Sequence, residues 1–145
     1  MNISIKPLHV ADRAAWEALA RGYKLFYGTA TSDAECSAAW QRLLHDRRFL
    51  GLAAWQGDTM VGIVHALFHA STWADEVCYL QDLFVADATR GVGAGAALID
   101  AVAAASRQRG AGRLCWITHH GNTAARALYD RVAVHKGFVR YDLAL

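Results

Sequence analysis

The run Arg90-Gly91-Val92-Gly93-Ala94-Gly95-Ala96 gathers residue types that can hold an anion: a guanidinium, then glycines at alternate positions, between an apolar stretch and an alanine-rich one. Glycine lacks the Cβ that keeps a ligand off the main chain, and the first amides of a helix have no partner inside it. Such amides point at a docked anion, aided by the helix dipole and here by Arg90. Spacing separates three loops of this kind. A Walker A loop needs Lys and then Ser or Thr after its last glycine, whereas Gly95 is followed by Ala96 and Ala97. A dinucleotide fingerprint is present in form as Gly91-x-Gly93-x-x-Ala96, but it should follow its strand at once and be answered by an acid about 20 residues later. Here Ala86 to Arg90 intervene, and Arg113 to Thr118 carries no acid. The third pattern, Arg-x-x-Gly-x-Gly/Ala, is met by Arg90, Gly93 and Gly95, with an ordinary flexible turn as the plain alternative.

Periodicity supplies the elements that must position this turn. Ile3 and Ile5 alternate as in a strand, and Trp16, Leu19, Ala20 and Tyr23 recur at helical spacing over Asp12 to Tyr23, with Asp12 as a candidate cap. Ser32-x-x-Glu35 has the form of a capping box ahead of a helix bearing Trp40, Leu43 and Leu44. Phe49–Trp55 and Met60–Phe68 flank Gln56-Gly57-Asp58 and read as an antiparallel hairpin. Strand Cys78–Val85, helix Gly95–Arg109 closed by Gly110 and Gly112, strand Leu114–Thr118, helix Asn122–His135 and strand Phe138–Leu143 complete the chain. Hairpin strands followed by a strand-helix-strand unit predict an α/β (α+β) fold, a mixed sheet flanked by helices in a single domain over residues 1–145.

The loop pattern resembles that of the GNAT superfamily, the acyl-CoA-dependent N-acetyltransferases, in which it grips the pyrophosphate of acetyl-CoA. Tyr79-Leu80-Gln81-Asp82-Leu83-Phe84-Val85 looks like the family's central strand, and Asn122-x-x-Ala125-Arg126-x-Leu128-Tyr129-Asp130 with Gly137-Phe138 looks like its later helix and closing strand. With Trp116-Ile117-Thr118-His119, the wording is similar to the diamine and histone-type branch. The resemblance implies a GNAT-like, mostly antiparallel sheet and acetyl-CoA as co-substrate. It also implies direct attack by a primary amine, small or polyamine-like, in a ternary complex. A CoA-binding module with little turnover and a protein-lysine or histone acetyltransferase are the competing functions.

Carried over residue by residue, the resemblance makes the main chain of Phe84 and Val85 hold the pantetheine arm and polarise the thioester. The amides from Arg90 through Gly91, Val92, Gly93, Ala94, Gly95 and Ala96 receive the diphosphate. Asn122 bonds the cofactor arm or caps its helix, and Tyr129 protonates the departing thiolate, although a half-buried core tyrosine has the same pattern. Diamine-acetylating relatives carry an acid where this chain has Gln81, and an amide accepts no proton at useful pH. Asp82 is the substitute as anchor or base, but in a regular strand Gln81 and Asp82 face opposite ways, so one of them sees the acceptor unless a bulge shifts the register. His119 through water is a further candidate base. Asp33, Glu35, Asp75, Glu76 and Asp82 could border an acceptor cleft for a cationic amine, or be solvated surface. Trp16, Tyr23, Phe26, Tyr27 and Trp40 could wall it, or be core.

Composition sets the remaining expectations. Net charge is only +2, with the basic residues spread out, which speaks against a nucleic-acid footprint. No apolar run approaches the roughly 20 residues that cross a bilayer, and the opening Met1-Asn2-Ile3-Ser4-Ile5-Lys6-Pro7 lacks a signal-peptide core, so cytoplasm is the expected compartment. Cys36, Cys78 and Cys115 are scattered and odd in number, which predicts reduced, buried thiols. Cys115, His119 and His120 lack the paired spacing of a metal site, and none is expected. Many relatives have a further strand after the Gly-Phe segment, so a homodimer covering the open edge is expected.

Overall fold

A computed structural model describes residues 2–145. Its centre is a five-stranded sheet in the order β1-β2-β3-β4-β5. The strands are β1 (Ile3–Pro7), β2 (Phe49–Gln56), β3 (Thr59–His69), β4 (Val77–Val85) and β5 (Leu114–Cys115). All neighbours are antiparallel except β4 and β5, which run parallel. The mixed, mostly antiparallel sheet flanked by helices is the expected architecture. The β2–β3 hairpin turns at Gly57, whose φ of +61° suits a residue without a Cβ.

Four α-helices cover the sheet: α1 (Arg13–Phe26), α2 (Asp33–His45), α3 (Ala94–Gln108) and α4 (Thr123–Val132). The capping box before α2 forms as read: Glu35 N–H donates to Ser32 Oγ at 3.1 Å and Ser32 N–H to the Glu35 carboxylate at 2.8 Å. Asp12 does not cap α1. Its carboxylate instead accepts from His9 N–H at 2.8 Å, because a short 3-10 turn over Val10–Asp12 precedes the helix.

The two faces of the sheet bury separate cores. On the α1/α2 face lie Trp16, Cys36, Trp40, Ala53, Met60 and Ile63. On the α3 face Leu98, Ile99 and Val102 pack on Val61, Val64, Ala66, Phe68, Cys78 and Leu80. Complete burial of Leu98 or Val102 contributes about 1.5–3 kcal/mol each. The close approach of α3 depends on small residues beneath it: a Cβ on Gly62 would stand 3.2 Å from Leu98 Cδ1.

Three expectations need correction. Residues 138–143 form no strand, and Phe138 and Tyr141 are 85% and 91% exposed. The apolar pattern of this segment was readable, but a strand exists only where a neighbour takes its backbone hydrogen bonds. Strand β5 stops at Cys115, because only Leu114 and Cys115 keep pairing with Cys78 and Tyr79. Cys36 and Cys78 are buried free thiols as read, whereas Cys115 is exposed at that edge. Among the described residues no helix is long and apolar enough to cross a membrane.

Candidate active site

The chemistry-bearing residues converge where β4 and β5 part. Beyond Tyr79, β4 has no strand on its β5 side, so the edge from Leu80 to Val85 is open to a ligand's polar groups. A break in the β3–β4 ladder lies in the same stretch. His65 pairs with Asp82 and Ala66 with Leu80, which leaves Gln81 as an unpaired extra residue. This bulge rotates the strand. Leu80 packs in the α3 core, but Asp82, two residues on, meets His65 and Tyr23 on the α1 face. Gln81 is exposed. Asp82, the substitute singled out for its neighbour, is thus the one turned towards the helices that wall the cleft.

Asp82 does not stand alone. His65 Nδ1 lies 2.9 Å from its Oδ2, and the Trp16 indole Nε1–H donates to His65 Nε2 at 2.9 Å. Burial alone would raise the Asp82 carboxyl, but the hydrogen bond and charge attraction of His65, followed by the nearby Tyr23 hydroxyl and the Lys24 charge, outweigh it and hold the group below its ordinary value. The Tyr23 phenol is pushed up, first by its own burial and then by the Asp82 charge. Sequence reasoning did not find His65, because a single histidine inside the apolar β3 run looks like a tolerated core residue; the period-two alternation with Ile63 was its only signal.

Tyr129, on α4, is half-buried against the α3 core, with its ring edge-on to Trp116 at 5.5 Å between centroids. Burial raises its phenol, with the nearby Tyr27 adding to the effect, so the hydroxyl keeps its proton through neutral pH. Tyr23 is within electrostatic reach of both Asp82 and Tyr129. A cleft of about 470 Å³ opens between the end of α1, at Phe26 and Tyr27, and the start of α4, at His119, Gly121, Asn122 and Thr123. Asn122 precedes α4 without capping it by its side chain; its Nδ2 instead donates to Thr118 Oγ1 at 3.3 Å. His119 Nδ1 accepts from Gly121 N–H at 3.1 Å. Trp16 and Trp40 are core, while Phe26 and Tyr27 are the cleft wall.

Of the other acids, Asp75 is exposed on the surface and three are occupied elsewhere. Asp33 pairs with Arg21 at 2.6 Å, Glu35 closes the α2 capping box, and Glu76 pairs with Arg109.

The turn after β4 enters α3 through Gly93, with no side-chain cap, so the amides of Ala94, Gly95 and Ala96 lack the usual capping acceptor. Gly91 and Gly93 have φ of +88° and +86° and open space where a Cβ would stand. Gly95 differs: a Cβ there would come within 3.1 Å of Leu128 Cδ2, so this glycine lets α4 lie against α3. Phe84 packs towards α1 and Val85 towards α3, and both lie in the stretch of β4 that pairs with β3 alone. The Arg90 guanidinium, at the head of this turn, is exposed and paired with Asp87 at 2.8 Å.

A five-stranded mixed sheet parted beside an uncapped, glycine-led helix defines an acetyltransferase scaffold, and comparison with known proteins agrees. The sequence model of the acetyltransferase (GNAT) family matches residues 13–133. The chain belongs to that family and is an acetyl-CoA-dependent N-acetyltransferase. It is 29% identical over 144 residues to the D-amino-acid N-acetyltransferase HPA3 of Saccharomyces cerevisiae, with 97% of this chain and 89% of the relative covered. It is 29% identical to the uncharacterized N-acetyltransferase YhfO of Bacillus subtilis, with 97% of both covered. The fold superposes on AAC(6')-Iy in complex with a bisubstrate analog, CoA-S-monomethyl-acetylneamine, with a TM-score of 0.89 at 16% identity, covering 100% of this chain and 99% of that one.

Proposed function

We propose that this enzyme transfers the acetyl group of acetyl-CoA to a primary amine of a small, cationic or polyamine-like acceptor, in a ternary complex built by one domain. The observation that carries the reading is the open β4 edge, flanked at one end by the uncapped start of α3 and bordered by Asp82 and Tyr129. Arg90 and the main chain of Gly91, Val92, Gly93, Ala94, Gly95 and Ala96 receive the diphosphate, with Arg90 turning away from Asp87 to do so. The main chain of Phe84 and Val85 holds the pantetheine arm and polarises the thioester carbonyl, and Asn122 bonds the arm from the α4 side. Gly95 contributes an amide, while its missing Cβ serves helix packing.

The neutral amine attacks the carbonyl carbon, the C–N bond forms and the C–S bond breaks. The Tyr129 hydroxyl gives its proton to the sulfur and recovers one from solvent, and the proton shed by nitrogen leaves to water. Holding both substrates in one cleft supplies much of the acceleration. Asp82 meets the acceptor.

The wording of Tyr79–Val85 and Trp116–His119 supports a place near the diamine and histone-type branch. HPA3, by its name, acetylates D-amino acids, and AAC(6')-Iy was captured with an aminoglycoside-derived analog; both speak for small amines. The same reading places the enzyme in the cytoplasm as a homodimer, with a second copy covering exposed residues such as Phe138, Val139 and Tyr141. Calorimetry with CoA, followed by thiol release across an amine panel, tests the function. Saturable CoA binding with turnover of small cationic amines is expected. Binding without turnover of any amine would mark a CoA-binding module, and turnover of lysine peptides alone would mark a protein acetyltransferase.

A further inference from the structure

We infer that His65 is a positioning residue: clamped between Trp16 and Asp82, it holds the Asp82 carboxylate on the α1 face of β4 as an anion with no lysine or arginine paired to it, which selects acceptors carrying a second, non-reacting ammonium group. The inference deepens the function proposed above and rests on it.

The proton inventory is fixed by geometry. An indole Nε1–H can only donate, so with 2.9 Å between Trp16 Nε1 and His65 Nε2, the imidazole nitrogen must present its lone pair. A doubly protonated ring would set two N–H groups against each other. The one ring proton therefore sits on Nδ1 and is donated to Asp82 Oδ2 across 2.9 Å. His65 is neutral in this arrangement, and the trio of Trp16, His65 and Asp82 keeps the full negative charge of the carboxylate.

Of the groups facing Asp82, no lysine or arginine forms an ion pair with it. These groups are Tyr23 and Lys24 on α1 and His65 on β3, with Tyr79 further along its own strand. Tyr23 brings no charge, and Lys24, whose charge favours the carboxylate from a distance, is exposed and makes no ion pair with it. The Asp82 side chain is only 21% accessible, and that of His65 only 13%. A carboxylate this enclosed, held by a neutral donor, is an anion awaiting a counter-charge. The Gln81 bulge turns it to the α1 face, where Tyr23 and Phe84 stack edge to face at 6.2 Å between centroids, rings that also suit an ammonium.

The cation it takes is not the reacting nitrogen. That nitrogen must be neutral to attack, and a carboxylate of lowered basicity would stabilise its protonated form instead. Asp82 thus anchors the far ammonium of the acceptor, and His65 holds the anchor still.

The experiment compares 1,4-diaminobutane with butylamine and 4-aminobutan-1-ol in wild type, His65→Gln and His65→Leu, alongside calorimetry with CoA. Glutamine offers one donor and one acceptor, as the neutral imidazole does. Wild type and His65→Gln should share a KM for the diamine within about 3-fold, roughly 10-fold or more below that for butylamine. His65→Leu should raise the diamine KM by roughly 10-fold, with kcat and the butylamine KM nearly unchanged. CoA affinity should be the same in all three. Equal losses for diamine and monoamine, or no rescue by glutamine, would overturn the inference. Should His65→Leu fail to fold, ¹⁵N signals of the wild-type imidazole decide: protonated Nδ1 and bare Nε2 are expected, and a protonated Nε2 overturns it. Should no amine turn over although CoA binds, the proposed function fails separately. Calorimetry of the CoA-saturated protein with 1,4-diaminobutane and butylamine then reads the anchor directly, tighter diamine binding upholding it and equal binding refuting it.

Discussion

The turn from Arg90 to Ala96 and the Trp16–His65–Asp82 chain lie at the same end of β4 but are built on opposite principles. The turn works through main chain: its glycines have positive φ with empty space around them, its helix starts uncapped, and its one charged side chain is exposed. The Trp16–His65–Asp82 chain, proposed to meet the acceptor, works through side chains drawn from α1, β3 and β4, enclosed and hydrogen-bonded in sequence. A backbone site tolerates side-chain change but not a change of backbone conformation, whereas a side-chain site depends on the partners of its partners. Variation in acceptor can therefore proceed on one side of the sheet while the cofactor end stays constant.

Four substitutions would break or sharpen that contrast. Gly93→Val places a β-branched residue at φ +86°, and the rearranged turn should lose at least two amide contacts to the diphosphate. Calorimetry should then show CoA affinity reduced by roughly 100-fold or more; retained affinity would mean the main chain is not the receptor. On the side-chain half, Tyr129→Phe removes one oxygen and should lower kcat by about 100-fold with little change in KM. Because burial raises this phenol, the donor stays protonated as pH climbs, and rate loss from its ionisation should begin only above the ordinary tyrosine value of about 10. An alkaline limb near neutrality that vanishes in the phenylalanine variant would contradict this.

Arg90→Ala should cost less, about 3- to 10-fold in CoA Kd, with a weaker dependence on salt, since the guanidinium is exposed and screened. The smallest effect is expected at Gly95→Ala, where the added methyl meets Leu128 Cδ2 at 3.1 Å. Thermal denaturation should register about 1 kcal/mol of destabilisation from overpacking, while CoA binding changes little because the amide remains; a large loss of affinity would mean that the missing Cβ serves the diphosphate as well.

The same contrast governs what could be read from the chain. The turn was legible because its glycines and arginine are contiguous, and the hairpin and the α2 capping box because their signals are local. Asp82 was legible as a candidate, with a bulge named as the condition, but nothing in Leu80-Gln81-Asp82 says which residue drops out of register. That is decided by pairing with β3. His65 lies 49 residues from Trp16 and 17 from Asp82, so their alignment follows from sheet register and helix docking, which no local pattern encodes. Residues 138–143 taught the reverse: a strand-like pattern without a neighbour to complete it.

Strand β5 is joined to the sheet through two residue pairs, while β2, β3 and β4 share long ladders. Hydrogen–deuterium exchange should accordingly divide the molecule, with slow central strands and a fast segment running from Leu114 through α4. Widening the gap disturbs few bonds, so the seam proposed here to admit the acceptor should also be the first part of the enzyme to breathe.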